Sequence, residues 1–134
     1  MPARGTKSDL DDLLAILDLT SIGDDVFTGT HPRKNPIRTF GGQMMAQAFV
    51  AASRSRAHDL PPSAMAVHFI AGGDPAHDIE FHVERLRDER RFANRRVDVK
   101  QGGKLLATAL LSYLSGGQGL EHNVAVPDVS GPED

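Results

Sequence analysis

One stretch, residues 39–53, constrains the fold more than any other part of the chain. It reads TFGGQMMAQAFVAAS, so two glycines follow Phe40 and precede a run rich in alanine and methionine. Paired glycines allow a tight turn with close approach of the backbone, and the run after them has the composition of a helix that is apolar on nearly every side. Because such a helix must be covered by other elements, we expect a central, buried helix from about Gly42 to Arg56.

The first turn of this predicted helix is also a candidate site. Its N–H groups lack helical partners, and the helix dipole places partial positive charge there. The backbone amides of Gly41, Gly42 and Gln43 are therefore candidate donors to an oxyanion or a phosphate, and the glycines let a substrate approach without an intervening side chain. The alternative that the stretch leaves open is a plain Gly-Gly turn before a core helix.

The composition narrows the possible functions. The 134 residues fit one domain, and an apolar fraction of 40% provides a modest core. A net charge of -3 gives no basic field, which argues against nucleic acid or an anionic membrane as the main partner. The absence of cysteine excludes disulfides and a thiolate nucleophile, and no apolar run reaches the ~18 residues of a membrane span. We therefore expect a cytoplasmic protein.

Periodicity predicts the elements around the central helix. Ser8 begins a short helix with a capping box, and its leucines recur at helical spacing, so one face should pack against another element; they are Leu10, Leu13, Leu14 and Leu17. A turn is expected at 21–25. Strands are expected at 26–30, 64–70, 78–87, 92–100 and 105–114. The strand at 64–70 has apolar residues on both faces, and the last strand is apolar throughout and should be central in the sheet.

Runs of strands that follow a helix predict an α+β fold, here a curved antiparallel sheet wrapped around one long helix. The Gly102-Gly103 pair and the polar segment 88–91 are the expected hairpin turns. We expect a leader at residues 1–7, a single domain at 8–125 and a tail or linker at 126–134.

Several short motifs occur together and in a fixed order. They are Phe40-Gly41-Gly42-Gln43 with Gln47-Ala48, Gly73-Asp74, Arg95-Arg96-Val97, Gly103-Lys104 and Glu121-His122. Through these motifs the chain, from about Leu13 to Pro127, resembles the N-terminal hotdog repeat of the acyl-CoA thioesterase II (TesB-like) family. The resemblance implies a hotdog fold and hydrolysis of fatty acyl-CoA thioesters. Coenzyme A would then be part of the substrate, and no separate cofactor is expected.

Thioester hydrolysis needs donors to the carbonyl oxygen and a group that orients or deprotonates water. The candidate catalytic residues are Gln43, Gly42 and Asp74, and the candidate substrate-binding residues are Gly41, His68, Arg95 and Arg96. Asp74 is also interpretable as a turn residue, and His68 as a core or interface histidine. The arginines offer forked donors to the phosphates of coenzyme A, or else pair with the acids of their own hairpin.

No metal site is expected, because His77 and His82 are separated by an odd number of positions and would point to opposite faces of a strand.

Members of the family that the chain resembles usually hold two hotdog repeats and orient the attacking water with residues of the second. A single repeat leaves sheet edges open, so we expect a homodimer with acyl-CoA bound between protomers. The alternative is a non-catalytic acyl-CoA-binding or structural half that needs a second repeat; a hotdog hydratase would need a His and Asp signature that is not found.

Overall fold

The computed structural model describes residues 7–32, 37–56 and 58–133, so nearly all of the predicted leader lies outside the described residues. The described elements are two helices and six strands: α1 (Lys7–Leu17), β1 (Thr20–Gly23), β2 (Val26–Gly29), α2 (Gly41–Arg54), β3 (Pro62–Phe69), β4 (Ile79–Asp88), β5 (Phe92–Gln101) and β6 (Lys104–Leu114).

The six strands form one antiparallel sheet in the order β1-β2-β4-β5-β6-β3. Helix α2 packs against β4, β5 and β6 on one face of this sheet. On that face Phe81, Val97 and Leu111 are buried, and they meet Ala48 and Ala51 of the helix. The predicted α+β fold, a sheet around one central helix, is confirmed.

Helix α2 begins one residue before its predicted start and ends at Arg54, where the N–H of Ser55 donates to the carbonyl of Ala52 at 3.2 Å. Its buried residues lie on one face, at helical spacing: Gln43, Met44, Gln47, Ala48, Ala51 and Ala52. Met45 on another face remains 37% exposed. The expectation of burial on nearly every side was therefore wrong for this chain alone, since a single sheet covers only one side of the helix.

Strands β4, β5 and β6 form a meander that follows the predicted pattern. Along β5 the buried residues alternate with exposed or half-buried ones, as the sequence predicted. The turn into β6 is made by Gly102 and Gly103, whose φ angles of 55° and 79° lie in the left-handed region that favours glycine. Strand β6 lies between β5 and β3, so its predicted interior place in the sheet is confirmed.

Residues 21–25 were predicted to be a turn, but residues 20–23 form strand β1. The turn is confined to Asp24 and Asp25, and Asp25 has a positive φ of 55°. The carboxylate of Asp25 accepts two hydrogen bonds from Arg85, at 2.6 and 3.0 Å, which attaches the β1–β2 hairpin to β4. The strand was missed because its residues are all exposed and show no apolar alternation.

Two apolar segments are less covered than the sequence predicted. Leu10, Leu13 and Leu14 of α1 are 55%, 51% and 57% exposed, so the predicted packing of this face is confirmed only at its C-terminal end, where the half-buried Leu17 lies against α2. Strand β3 is an edge strand, and most of its residues are exposed despite their apolar character. From residue 115 to residue 133 the chain forms no helix or strand. Neither described helix has the length and apolar character needed to cross a membrane.

Candidate functional site

The first turn of α2 leaves two backbone donors without a partner among the described residues. Phe40 precedes the helix in an extended conformation (φ -67°, ψ 129°), and its side chain provides no cap. Its carbonyl accepts from the N–H of Gln43 at 3.1 Å and from that of Met44 at 3.3 Å. The Gln43 amide, predicted to be available, is therefore already engaged. In the part of the chain that the structure describes, no group accepts a hydrogen bond from the N–H of Gly41 or Gly42.

Two aromatic rings lie directly against the glycines of this turn. A Cβ on Gly42 would lie 2.4 Å from Cε1 of Phe40, and a Cβ on Gly41 would lie 3.1 Å from Cζ of Phe69. Both rings remain more than half exposed, at 73% for Phe40 and 53% for Phe69. The two glycines thus let aromatic side chains rest directly on the start of the helix, and these apolar surfaces border the two unpartnered donors.

The side chain of Gln43 is held by a buried amide network. Gln47, which is fully buried, donates from Nε2 to the carbonyls of Ile16 and Thr30, each at 3.0 Å. Its Oε1 is therefore left to accept from Nε2 of Gln43 at 3.2 Å, and that nitrogen also donates to Thr30 at 3.1 Å. The remaining atom, Oε1 of Gln43, is buried and has no hydrogen-bond partner in the described structure. Gln43 thus offers an acceptor, so its side chain suits a water molecule better than a carbonyl oxygen.

The loop that carries Asp74 is attached to the start of α2. The N–H of Thr39 donates to the carbonyl of Gly73 at 3.1 Å, and a Cβ on Gly73 would lie 2.6 Å from Oγ1 of Thr39. On its other side, Oγ1 of Thr39 lies 2.7 Å from Nε2 of His31. These contacts bring His31 and the Gly73-Asp74 turn to the same end of the helix as Gly41.

Asp74 makes the contacts expected of a turn residue. Its Oδ1 accepts from the N–H of Ala76 at 2.9 Å, and its Oδ2 lies 3.2 Å from Nδ1 of His77. The bond from Ala76 holds the pKa of the exposed Asp74 carboxyl below its usual value, and His77 acts in the same direction. Its role in catalysis stays a prediction.

His31 was not singled out from the sequence. Burial lowers the pKa of its imidazole below the usual 6.5, although the charges of Asp78 and Asp74 act in the opposite direction. The ring is therefore mostly neutral near pH 7. Its position between the end of β2 and a glycine-led helix is the signal that could have pointed to it.

The other predicted residues lie elsewhere. His68 is exposed on the sheet face opposite α2, as is Arg96, whose guanidinium pairs with Glu84. Arg95 is fully buried near the C-terminal end of α2, where it donates to Ser55 and, at 2.7 Å, to Asp88. Fold and register thus separate these three side chains from the start of α2, and Arg95 has no exposed donor. Their contacts with substrate stay predictions.

No group of three or more His, Asp or Glu side chains among the described residues is arranged to hold a metal ion. The groups that the start of α2 offers for chemistry are two amide donors, one buried acceptor and a neutral imidazole.

Residues 30–114, which include α2 and β3 to β6, match the family model described as the acyl-CoA thioesterase N-terminal domain. The chain belongs to this family. It is 34% identical over 124 residues to acyl-coenzyme A thioesterase 8 of Mus musculus, an alignment that covers 90% of this chain and 38% of that protein.

Two solved structures are also similar to this chain. The tesB protein of Mycobacterium avium subs paratuberculosis is 32% identical, with a TM-score of 0.76 over 92% of this chain and 49% of that one. A hot dog fold protein of Alicyclobacillus acidocaldarius is 24% identical, with a TM-score of 0.74 over 96% of this chain and 48% of that one. The predicted hotdog fold and family are confirmed. The chain spans less than half the length of each of these three proteins.

Proposed function

We propose that this chain hydrolyses fatty acyl-CoA thioesters, with the thioester carbonyl bound at the start of α2. Membership of the acyl-CoA thioesterase N-terminal domain family supports the reaction class. The observation that carries the proposal is a set of polar groups in the first turn of α2 that lack partners among the described residues: the N–H groups of Gly41 and Gly42 and the buried Oε1 of Gln43. The substrate carbonyl requires free hydrogen-bond donors, and the attacking water requires a free acceptor.

In this mechanism the carbonyl oxygen accepts from Gly41 and Gly42, and both bonds strengthen as negative charge develops on the oxygen. One such donor contributes about 3–4 kcal/mol to stabilising the transition state. Oε1 of Gln43 accepts a hydrogen bond from the water and orients it for attack. The bond from the water oxygen to carbon forms, the carbon–sulfur bond breaks, and the leaving thiolate takes a proton to give free coenzyme A and a fatty acid.

Two side chains at this end of the helix can accept the proton of the attacking water. Asp74 is a carboxylate with a lowered pKa, which makes it a weak base near neutral pH. His31 is neutral there and contacts Thr39, the residue two before Gly41. His31 is therefore the better base in the proposed reaction, with Asp74 as a nearby negative charge that stabilises the imidazolium.

We also propose that two copies of the chain pair along β3. In the described sheet β3 has a neighbour only on the β6 side, and its eight residues include no Asp, Glu, Lys or Arg. Phe69 and Ile70 are more than half exposed at its end, beside Gly41. An uncharged, apolar edge of this length favours pairing with another strand, and a two-fold axis would place both helix starts near the interface.

The reaction is tested by measuring free coenzyme A released from acyl-CoAs, with Gln43→Ala as the main variant. We expect turnover to fall roughly 10- to 100-fold, because the water loses its acceptor while the two backbone donors remain. Gln118→Ala, at an exposed position in the C-terminal segment, is the matched control and should retain full turnover. A folded Gln43→Ala protein with unchanged turnover would remove Gln43 from the mechanism.

Pairing along β3 is tested by the molar mass in solution. The double variant Ala64→Glu, Ala66→Glu places two carboxylates on exposed positions of the edge, and a two-fold axis brings the charges of both copies together. We expect it to shift a dimer to monomer at micromolar concentration, whereas Thr20→Glu on the opposite edge strand should not. A dimer that survives the double variant contradicts this interface.

The second candidate function is a non-catalytic, acyl-CoA-binding half that requires a second repeat. It is supported by the coverage, since the chain corresponds to 38% of the mouse relative and 49% of the mycobacterial one. Stoichiometric binding of acyl-CoA by the wild-type chain without release of coenzyme A favours this function over hydrolysis.

A further inference from the structure

A groove of about 240 Å³ lies between α1 and the start of α2. Its walls include Leu13, Ile16 and Leu17 of α1, Ala46 of α2, and the ring of Phe40. Among the described residues that line the groove none is charged, and Gln43 is the polar one. A concave, apolar space that ends at a few polar groups is the general form of a site for a small apolar ligand.

The α1 wall of this groove is held in place by polar contacts. The carbonyl of Ile16 accepts from Nε2 of the buried Gln47 at 3.0 Å. Just beyond α1, the carboxylate of Asp18 accepts from Nη2 of Arg54, near the end of α2, at 2.8 Å. The C-terminal end of α1 is therefore attached to α2, whereas Leu13 in the middle of the helix remains 51% exposed. An apolar ligand in the groove would cover this leucine.

The groove is continuous with the site proposed above. Gly42 and Gln43 line the groove and also belong to the start of α2, and the exposed Phe40 ring lies over Gly42. A thioester carbonyl that accepts from the Gly42 amide therefore lies next to the groove, and of its two substituents only the acyl chain is apolar enough to enter. We propose that the groove binds the hydrocarbon chain of the acyl group, which makes α1 the element that selects acyl-chain length. This inference rests on the proposed function, because that function supplies the fatty acyl ligand.

The test uses S-alkyl-CoA thioethers of even chain length from C4 to C14, which cannot be hydrolysed, together with release of coenzyme A from the matching thioesters. Affinity of the full chain for the thioethers should rise about four-fold for each CH₂ that enters the groove, which corresponds to about 0.8 kcal/mol per buried CH₂. The rise should stop at the length at which the groove is filled.

Two variants, each with a matched control, should change this chain-length limit in opposite directions. Ala46→Phe fills the groove and should end the rise at a shorter chain, whereas Ala15→Phe, at an exposed position of α1 outside the groove, should leave it unchanged. Leu13→Ala enlarges the groove and should move the limit to a longer chain, with Leu10→Ala, another exposed leucine of α1, as its control. The second pair keeps the test valid if the larger side chain at position 46 disturbs folding.

The possible outcomes distinguish a failure of the proposed groove from a failure of the proposed reaction. Hydrolysis with a length limit that neither Ala46→Phe nor Leu13→Ala changes overturns the groove and leaves the proposed function intact. Binding of thioethers with the expected limits but no release of coenzyme A supports the groove and contradicts hydrolysis. Affinity that does not depend on chain length overturns the groove, and loss of self-association in Leu13→Ala would instead assign the surface to a second copy of the chain.

Discussion

The two ends of α2 differ in how completely their polar groups are satisfied. At the C-terminal end, Arg95 donates to the hydroxyl and the carbonyl of Ser55 at 2.8 and 3.0 Å and to Asp88 at 2.7 Å, and it is fully buried. At the N-terminal end, two backbone donors and one buried side-chain acceptor lack partners in the described structure, and apolar surface remains exposed around them.

The difference distinguishes the end of α2 that stabilises the fold from the end at which we propose that the reaction occurs. Leaving a buried acceptor unsatisfied costs about 1–3 kcal/mol, so such an atom in a native structure calls for a specific explanation, and a bound water or substrate is one. The saturated end can supply stability but no chemistry. The unsatisfied end gives up some stability and in return can bind a substrate.

The largest expected effect is at the saturated end. Arg95→Met should lower the free energy of unfolding by about 3–5 kcal/mol, because Asp88 and the carbonyl of Ser55 lose a buried donor. Urea unfolding followed by circular dichroism measures this loss. The control is Arg96→Met, whose exposed pair with Glu84 should contribute no more than about 1 kcal/mol. Equal losses in the two variants would contradict the structural role of Arg95.

The next largest effect is at the unsatisfied, N-terminal end of α2, where we expect a change in turnover rather than in stability. Gly42→Ala should keep the free energy of unfolding within about 1 kcal/mol of the wild type, because alanine favours the helix while the exposed Phe40 ring has to move aside. The methyl group and the displaced ring crowd the amide donors, so turnover of acyl-CoA should fall at least roughly ten-fold. Gly116→Ala, where a Cβ meets nothing within 4 Å, is the control for both measurements.

The smallest expected effect concerns His31. Its pKa in the folded protein is below the usual 6.5, so below about pH 6.5 the unfolded chain takes up a proton that the folded chain does not. The free energy of unfolding should therefore decrease as the pH falls from 6.5 toward the pKa of the folded state. His31→Gln should flatten this part of the curve. An unchanged slope in the variant would show that other groups cause it.

Most of the fold is predictable because buried strands and helices leave periodic patterns. The alternation along β5 and the Gly102-Gly103 turn identified a hairpin correctly, since both depend on local geometry. Strand β1 was missed because all four of its residues are exposed. The sequence pattern of β3 does not reveal an edge position. Apolar side chains on both faces of a strand give the same pattern whether its neighbouring strand belongs to the same chain or to another molecule.

The site is less predictable because it depends on contacts between distant residues. The glycines before α2 were found from their spacing, and the structure leaves the amides of Gly41 and Gly42 without partners. The sequence cannot indicate that Gln47 fixes the orientation of the Gln43 amide, since that depends on carbonyls of α1 and of the loop after β2. Likewise, Arg95 and Arg96 are neighbours in the chain, and only the placement of the sheet shows that one side chain is buried and the other is in solvent.

The two edges of the sheet also determine how far assembly can proceed. Edge strand β3 has eight residues and is mainly apolar, whereas β1 at the other edge has four and is attached to β4 through the Asp25–Arg85 pair. When two copies pair along β3, only the short β1 edges face outward, and these offer little backbone to a third copy. With the proposed pairing along β3, growth by strand addition would therefore stop at two subunits, and the same asymmetry would oppose extended, fibre-like polymerisation.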